Sequence, residues 1–268
     1  MTAQESVPTS RPTGPVNACD PASDWSRSSP DRSPLLAVCG LCGGAGTSTL
    51  SYLLARFAVT EARGDVLVCD TGGPAGGLAA CARVQSQWSL LEAADRVSRG
   101  LPLTGGLFAV DEPASLFACE LRVIATGPRL TESGGVDGLE ALLEMARSDG
   151  AHALTVVDCG TLALAADRVV LRVASHIAWV LPATSAGLRR AERVLVAIGS
   201  DLAGRELIVA RRDRRQPAAE LRKLRTLAER RHAPLVLLPH LSDPLDRPAR
   251  ALDEAQVALQ ALIGALAR

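Results

Sequence analysis

Residues 42–49 read Cys-Gly-Gly-Ala-Gly-Thr-Ser-Thr, between an apolar run at 35–39 and a helical pattern over 49–58. A strand that enters a glycine-rich turn and leaves it as a helix is the layout of a phosphate-binding loop. Gly43, Gly44 and Gly46 let backbone N–H groups turn inward around an anion, and the helix that follows adds the positive end of its dipole. The position after the last loop glycine ordinarily carries a lysine that reaches the outer phosphates. Here it is Thr47, and Lys223 is the only lysine in the chain. The cradle is present and its cation is missing.

From residue 34 onward, short apolar runs alternate with helical patterns. Strands are expected at 35–39, 66–69, 121–125, 154–157, 177–181, 207–210 and 235–238, with 108–110 as an edge strand. Helices are expected at 48–63, 90–97, 138–148, 186–198, 217–231 and 252–267. This alternation predicts an α/β fold, a mostly parallel twisted sheet with helices on both faces. Residues 1–33, rich in Ser, Pro, Asp and Thr without periodicity, read as a disordered tail. Residues 34–268 then form one domain of ordinary size. The loop, Asp70 and Asp158 all fall at carboxyl ends of strands, where open α/β sheets bind ligands.

The stretch 43–49 resembles the deviant phosphate loop of the MinD/ParA class of P-loop ATPases, Lys-Gly-Gly-x-Gly-Lys-Thr-Thr. On that pattern the first lysine falls on Cys42, the second on Thr47, and the magnesium-binding hydroxyl on Ser48. Val66-Leu-Val-Cys-Asp70 resembles the second strand of the class, Leu154-Thr-Val-Val-Asp158 its Walker B strand, and Ala178-Trp-Val-Leu-Pro182 the next strand. A missing second lysine before Ser-Thr is most similar to the CpaE/TadZ branch. These are pilus-assembly and polar-localisation proteins, with actinobacterial relatives described as septum-site-determining.

The resemblance implies ATP or ADP bound by Gly43, Gly44, Ala45, Gly46, Thr47, Ser48 and Thr49. It implies magnesium held by Ser48, Asp70 and Asp158, a homodimer, and protein partners in a localisation, secretion or pilus machine. The departures bear on turnover. The class pattern Asp-x-Asp after the second strand is Asp70-Thr71-Gly72 here, so the carboxylate linked to hydrolysis is absent. Cys159-Gly160-Thr161 stand where prolines often follow Walker B, and the adenine-contacting asparagine falls near Ala210 or Arg211. A lost charge-assisted hydrogen bond weakens affinity by about 10- to 100-fold. Binding is therefore expected to persist while hydrolysis is weak or absent. Two alternatives stand beside this scaffold reading: a ParA-type DNA-partitioning protein, and an active ATPase with a substitute arginine.

Other features carry two readings each. Asp70 and Asp158 either hold magnesium or remain in a pocket without metal. Cys39, Cys42, Cys69 and Cys159 either form a metal or redox group or are small buried fillers. Residues 205–232 hold ten Lys or Arg against four Asp or Glu, either a DNA-phosphate surface or a solvated face. Leu252, Ala255, Leu259, Leu262 and Leu266 make an apolar stripe. Its polar side, Asp253, Glu254, Gln256 and Gln260, suits packing on the sheet better than a membrane surface. The histidines at 152, 176, 232 and 240 are scattered and read as structural or surface residues.

Global charge names no partner, since 29 basic side chains balance 29 acidic ones. No apolar leader and no run of about 20 apolar residues is visible, so neither export nor a membrane span is expected. Seven cysteines without framework spacing point to the cytoplasm.

Overall fold

A computed structural model describes residues 32–61, 64–71, 77–84, 88–101, 108–110, 119–125, 136–148, 152–214 and 217–267. The expected tail lies outside the described residues, apart from Arg32 and Ser33. Ser33 N donates to Arg147 O at 2.9 Å.

Eight described strands form one sheet: β1 (Leu35–Gly40), β2 (Val66–Asp70), β3 (Phe108–Val110), β4 (Leu121–Ile124), β5 (Leu154–Asp158), β6 (His176–Pro182), β7 (Glu206–Arg211) and β8 (Leu235–Leu238). Their order is β3-β4-β2-β5-β1-β6-β7-β8. Seven strands are parallel, and β3 pairs antiparallel with β4 at the edge. β1, β2 and β5 are buried at every residue, which is why they read as unbroken apolar runs rather than alternating ones. From β1 the chain winds outward through β2 to β4, then returns through β5 to β6, β7 and β8. The winding reverses at β1, the place where such sheets bind ligands.

The helices are α1 (Thr47–Glu61), α2 (Gly77–Ala82), α3 (Leu90–Ser98), α4 (Asp137–Ser148), α5 (Ala165–Val173), α6 (Ser185–Ile198), α7 (Ala218–Arg231) and α8 (Pro248–Leu266). One face of the sheet packs against α1, α2 and α8, the other against α3 to α7. Neither α2 nor α5 was expected. The first is a six-residue segment behind a glycine run. The second, Ala-Ala-Asp-Arg-Val-Val-Leu-Arg-Val, is rich in β-branched residues. Its start is secured by the Asp167 carboxylate, which accepts Leu164 N at 2.8 Å.

α8 buries Ala255, Leu259, Leu262 and Leu266 against the sheet while Leu252 is half-buried, so its apolar stripe is core. Among the described residues, no helix is long and apolar enough to cross a membrane. On the opposite face, buried Glu206 accepts Trp179 Nε1 at 2.8 Å and both forks of Arg231, Nε at 3.0 Å and Nη2 at 2.6 Å. Its side chain is 1% exposed.

Candidate functional site

Five strands run one residue past the apolar stretch that marks them in the sequence, and four of the extra residues lie at the loop: Gly40, Asp70, Asp158 and Arg211. Gly40 N donates to Gly160 O at 2.6 Å and Leu41 N to Val180 O at 2.9 Å, which pins the start of the loop between β5 and β6. The chain then turns, with Ala45 N on Cys42 O at 3.3 Å. Gly44 and Gly46 have φ of +69° and +94°, a conformation that side chains strain. A Cβ on Gly43 or Gly44 would meet no atom within 4 Å, so the outer side of the loop is open. Gly43 and Gly44 are exposed, Ala45 is buried, and Gly46, Ser48 and Thr49 are half-buried.

α1 starts at Thr47. The Asp158 carboxylate accepts Gly160 N at 3.0 Å, and the hydroxyls of Thr47 and Ser48 face it. Burial pushes the Asp158 pKa up, and these polar neighbours work against that rise. Asp70 stands beside it, paired in register across β2 and β5, and both are nearly inaccessible to solvent. Strand alternation places both side chains on the α1 face, since their neighbours Cys69 and Val157 pack on the other. Ser48, Asp158 and Asp70 are therefore neighbours, an all-oxygen donor set suited to magnesium. The resemblance's three metal residues come together, as do the seven loop residues.

Two contacts at this edge were not foreseen. Thr71 Oγ1 donates to Asp167 Oδ1 at 2.6 Å, tying the end of β2 to the start of α5. Burial raises the Asp167 pKa. Gly77 opens α2 directly over Ser48, and a Cβ there would collide with Ser48 Oγ. Thr49 Oγ1 lies 3.9 Å from Cys81 Sγ, which holds α2 alongside α1. Gly72 lies outside the described residues.

Arg211 does not project into solvent with its neighbours. Its Nη1 and Cδ would lie 3.5 and 3.8 Å from a Cβ built on Gly46. It is half-buried, whereas Arg212 and Arg214 are exposed. The basic segment is divided further. Arg231 is taken up by Glu206. Arg222, Lys223 and Arg230 line a groove of about 450 Å³ with Arg189, and Arg225 faces away beside Glu229 and His232. Of the two readings of the basic segment, a solvated face does not describe Arg211 or Arg231.

The four cysteines do not converge. Cys39, Cys69 and Cys159 are buried on the α3–α7 face, while Cys42 packs toward the α1 side. Cys159 Sγ donates to Val157 O at 3.8 Å, and its closeness to the Cys39 thiol together with burial raises its pKa. Burial likewise raises Cys69. With Cys42 on the opposite side of the sheet from the other three, the set suits apolar filling rather than a four-thiol metal site. Among the described residues, no group of three His, Cys, Asp or Glu side chains is placed to hold a metal. His152 precedes β5 and His176 begins β6, at the edge opposite the loop.

No protein-family model and no curated protein sequence matches the chain. Solved structures do. The fold is similar to that of a ParA family ATPase from Chlorobium tepidum TLS at 18% identity and a TM-score of 0.61, over 85% of this chain and 92% of that one. It is similar to MinD in the MinC:MinD cell division complex of Aquifex aeolicus at 14% identity and a TM-score of 0.63, over 87% and 94%. It is also similar to the septum site-determining protein MinD of Pyrococcus horikoshii OT3, complexed with Mg-ADP, at 14% identity and a TM-score of 0.59, over 88% and 94%. At these identities the likeness is one of fold: this is the α/β architecture of MinD/ParA P-loop ATPases.

Proposed function

We propose that this protein is a nucleotide-binding scaffold of the MinD/ParA type, close to the CpaE/TadZ branch, that binds ATP or ADP with magnesium and hydrolyses ATP weakly or not at all. One observation carries the reading. The loop keeps its open, positive-φ cradle at Gly44 and Gly46, while Thr47, at the lysine position, is a buried neutral side chain beside Asp158. Backbone amides of 43–48 and the start of α1 hold the phosphates. Ser48, Asp158 and Asp70 fit the magnesium ion, which would neutralise phosphate charge when bound. Hydrolysis lacks two groups: a lysine at 47 to stabilise the transferred phosphoryl, and a carboxylate at 72 to position water.

The biological role is spatial. A nucleotide-loaded domain of this kind serves as a platform for protein partners at a pilus, secretion or cell-pole machine in the cytoplasm, and works as a homodimer. Cys42 stands where the lysine that crosses to a partner's phosphates is expected, so the dimer rests on other surfaces and depends less on nucleotide. The test is phosphate release from ATP with magnesium, compared with a Ser48→Ala preparation. Equal rates are expected, with binding of ADP retained by the unaltered protein. Turnover well above that control contradicts the scaffold reading.

A further inference from the structure

We propose that Arg211 is the phosphate-binding cation of this loop, reaching it from β7 in place of the lysine missing at position 47. The proposal rests on the phosphate-site reading above and goes beyond it by assigning the charge.

Sheet register puts Arg211 at the right height. Gly40 pairs with Val180 on β6, Val180 pairs with Val209 on β7, and Pro182 pairs with Arg211. Arg211 therefore stands two residues beyond the level of Gly40, about 6.6 Å farther along the strand direction, where the loop lies. Strand alternation gives it the right face. Val209 packs on the α1 side and Ala210 on the other, so Arg211 returns to the α1 side. Its guanidinium rests against Gly46, one residue before Thr47.

Among the described residues, no acidic side chain pairs with this charge. The Arg211 side chain makes no hydrogen bond or ion pair with a described residue, in contrast to Arg231, which is engaged by Glu206. A guanidinium beside the amino end of α1 meets the positive end of the helix dipole, an arrangement that costs energy until an anion lies between them. A phosphate resolves it, accepting from the loop amides on one side and from the planar fork of Arg211 on the other. A diphosphate or triphosphate is the ligand class, because the cradle and the arginine bind different oxygens of one chain.

The experiment is calorimetric titration of full-length protein with pyrophosphate, ADP and adenosine, comparing the unaltered chain, Arg211→Ala, and Arg211→Ala with Thr47→Lys. Thermal unfolding first confirms that the variants are folded. Arg211→Ala is expected to weaken both pyrophosphate and ADP by about 10- to 100-fold and to leave adenosine unchanged. Thr47→Lys is expected to recover part of that loss. Equal weakening of ADP and adenosine with pyrophosphate unaffected would place the guanidinium on the base and overturn the proposal. Unchanged ADP and pyrophosphate affinity in Arg211→Ala would also overturn it while leaving the phosphate site standing. Failure of the unaltered protein to bind either phosphate ligand would remove the site itself, and the role of Arg211 with it.

Discussion

Thr47 is buried with its hydroxyl facing the carboxylate of Asp158. A side chain at the lysine position of a phosphate loop thus turns in toward the sheet instead of out toward a ligand. Thr47→Ala removes a group that serves Asp158, so ADP affinity should change by less than about threefold, the scale of a weak neutral hydrogen bond. Titration calorimetry checks this. A tenfold loss would mean that the Thr47 side chain touches the ligand.

The same carboxylate predicts a pH dependence. Burial raises Asp158 and Asp167 above the ordinary carboxylate value. The folded protein then holds these protons more tightly than the unfolded chain. Their contribution is fully present below the unfolded pKa, about 4, and is lost as pH rises through the folded pKa. Asp158→Asn removes one of the two contributions. Its melting temperature should fall less than that of the unaltered protein as pH is raised from about 4 to about 7. Parallel curves would show that Asp158 is not a source of the slope.

Gly77 gives a steric test of the magnesium site. A Cβ there collides with Ser48 Oγ, so Gly77→Ala displaces either α2 or the hydroxyl. The gain in nucleotide affinity on adding magnesium should shrink by about 2- to 10-fold, one hydrogen-bond-sized contact. Affinity measured in chelator should hardly move. Loss of both equally would indicate a collapsed loop and not a disturbed metal position.

Arg231 and Glu206 supply a stability test away from the site. With Arg231 gone, Glu206 is left charged and almost wholly enclosed. Arg231→Ala should cost about 3–5 kcal/mol in chemical denaturation, and adding Glu206→Gln should recover part of it. A cost below about 1 kcal/mol would show that water reaches Glu206 and screens it.

The sequence carried the architecture in its apolar runs, and all eight strands appear where those runs lie. It marked them one residue short at Gly40, Asp70, Asp158 and Arg211, because a strand's carboxyl end is where apolar character gives way to functional residues. α2 was hidden by its length and α5 by its β-branched content. The loop and its two acids were legible because phosphate binding demands glycines at fixed spacing. Arg211 at the loop was less so. Its closeness to Gly46 depends on how β6 and β7 stack beside β1, a register that spacing along the chain does not encode. The resemblance put the adenine-contacting position near Ala210 or Arg211. Strand alternation from Val209 turns it to the face that carries the loop.

The proposed cradle holds nucleotide without turning it over. Calorimetric titration of the full-length protein with ATP and magnesium tests both halves in one trace. A saturable isotherm is expected, with the signal returning to a flat baseline after every injection. Absence of binding heat at two temperatures would contradict the cradle, and a baseline displaced by continuing heat of hydrolysis would contradict the loss of turnover.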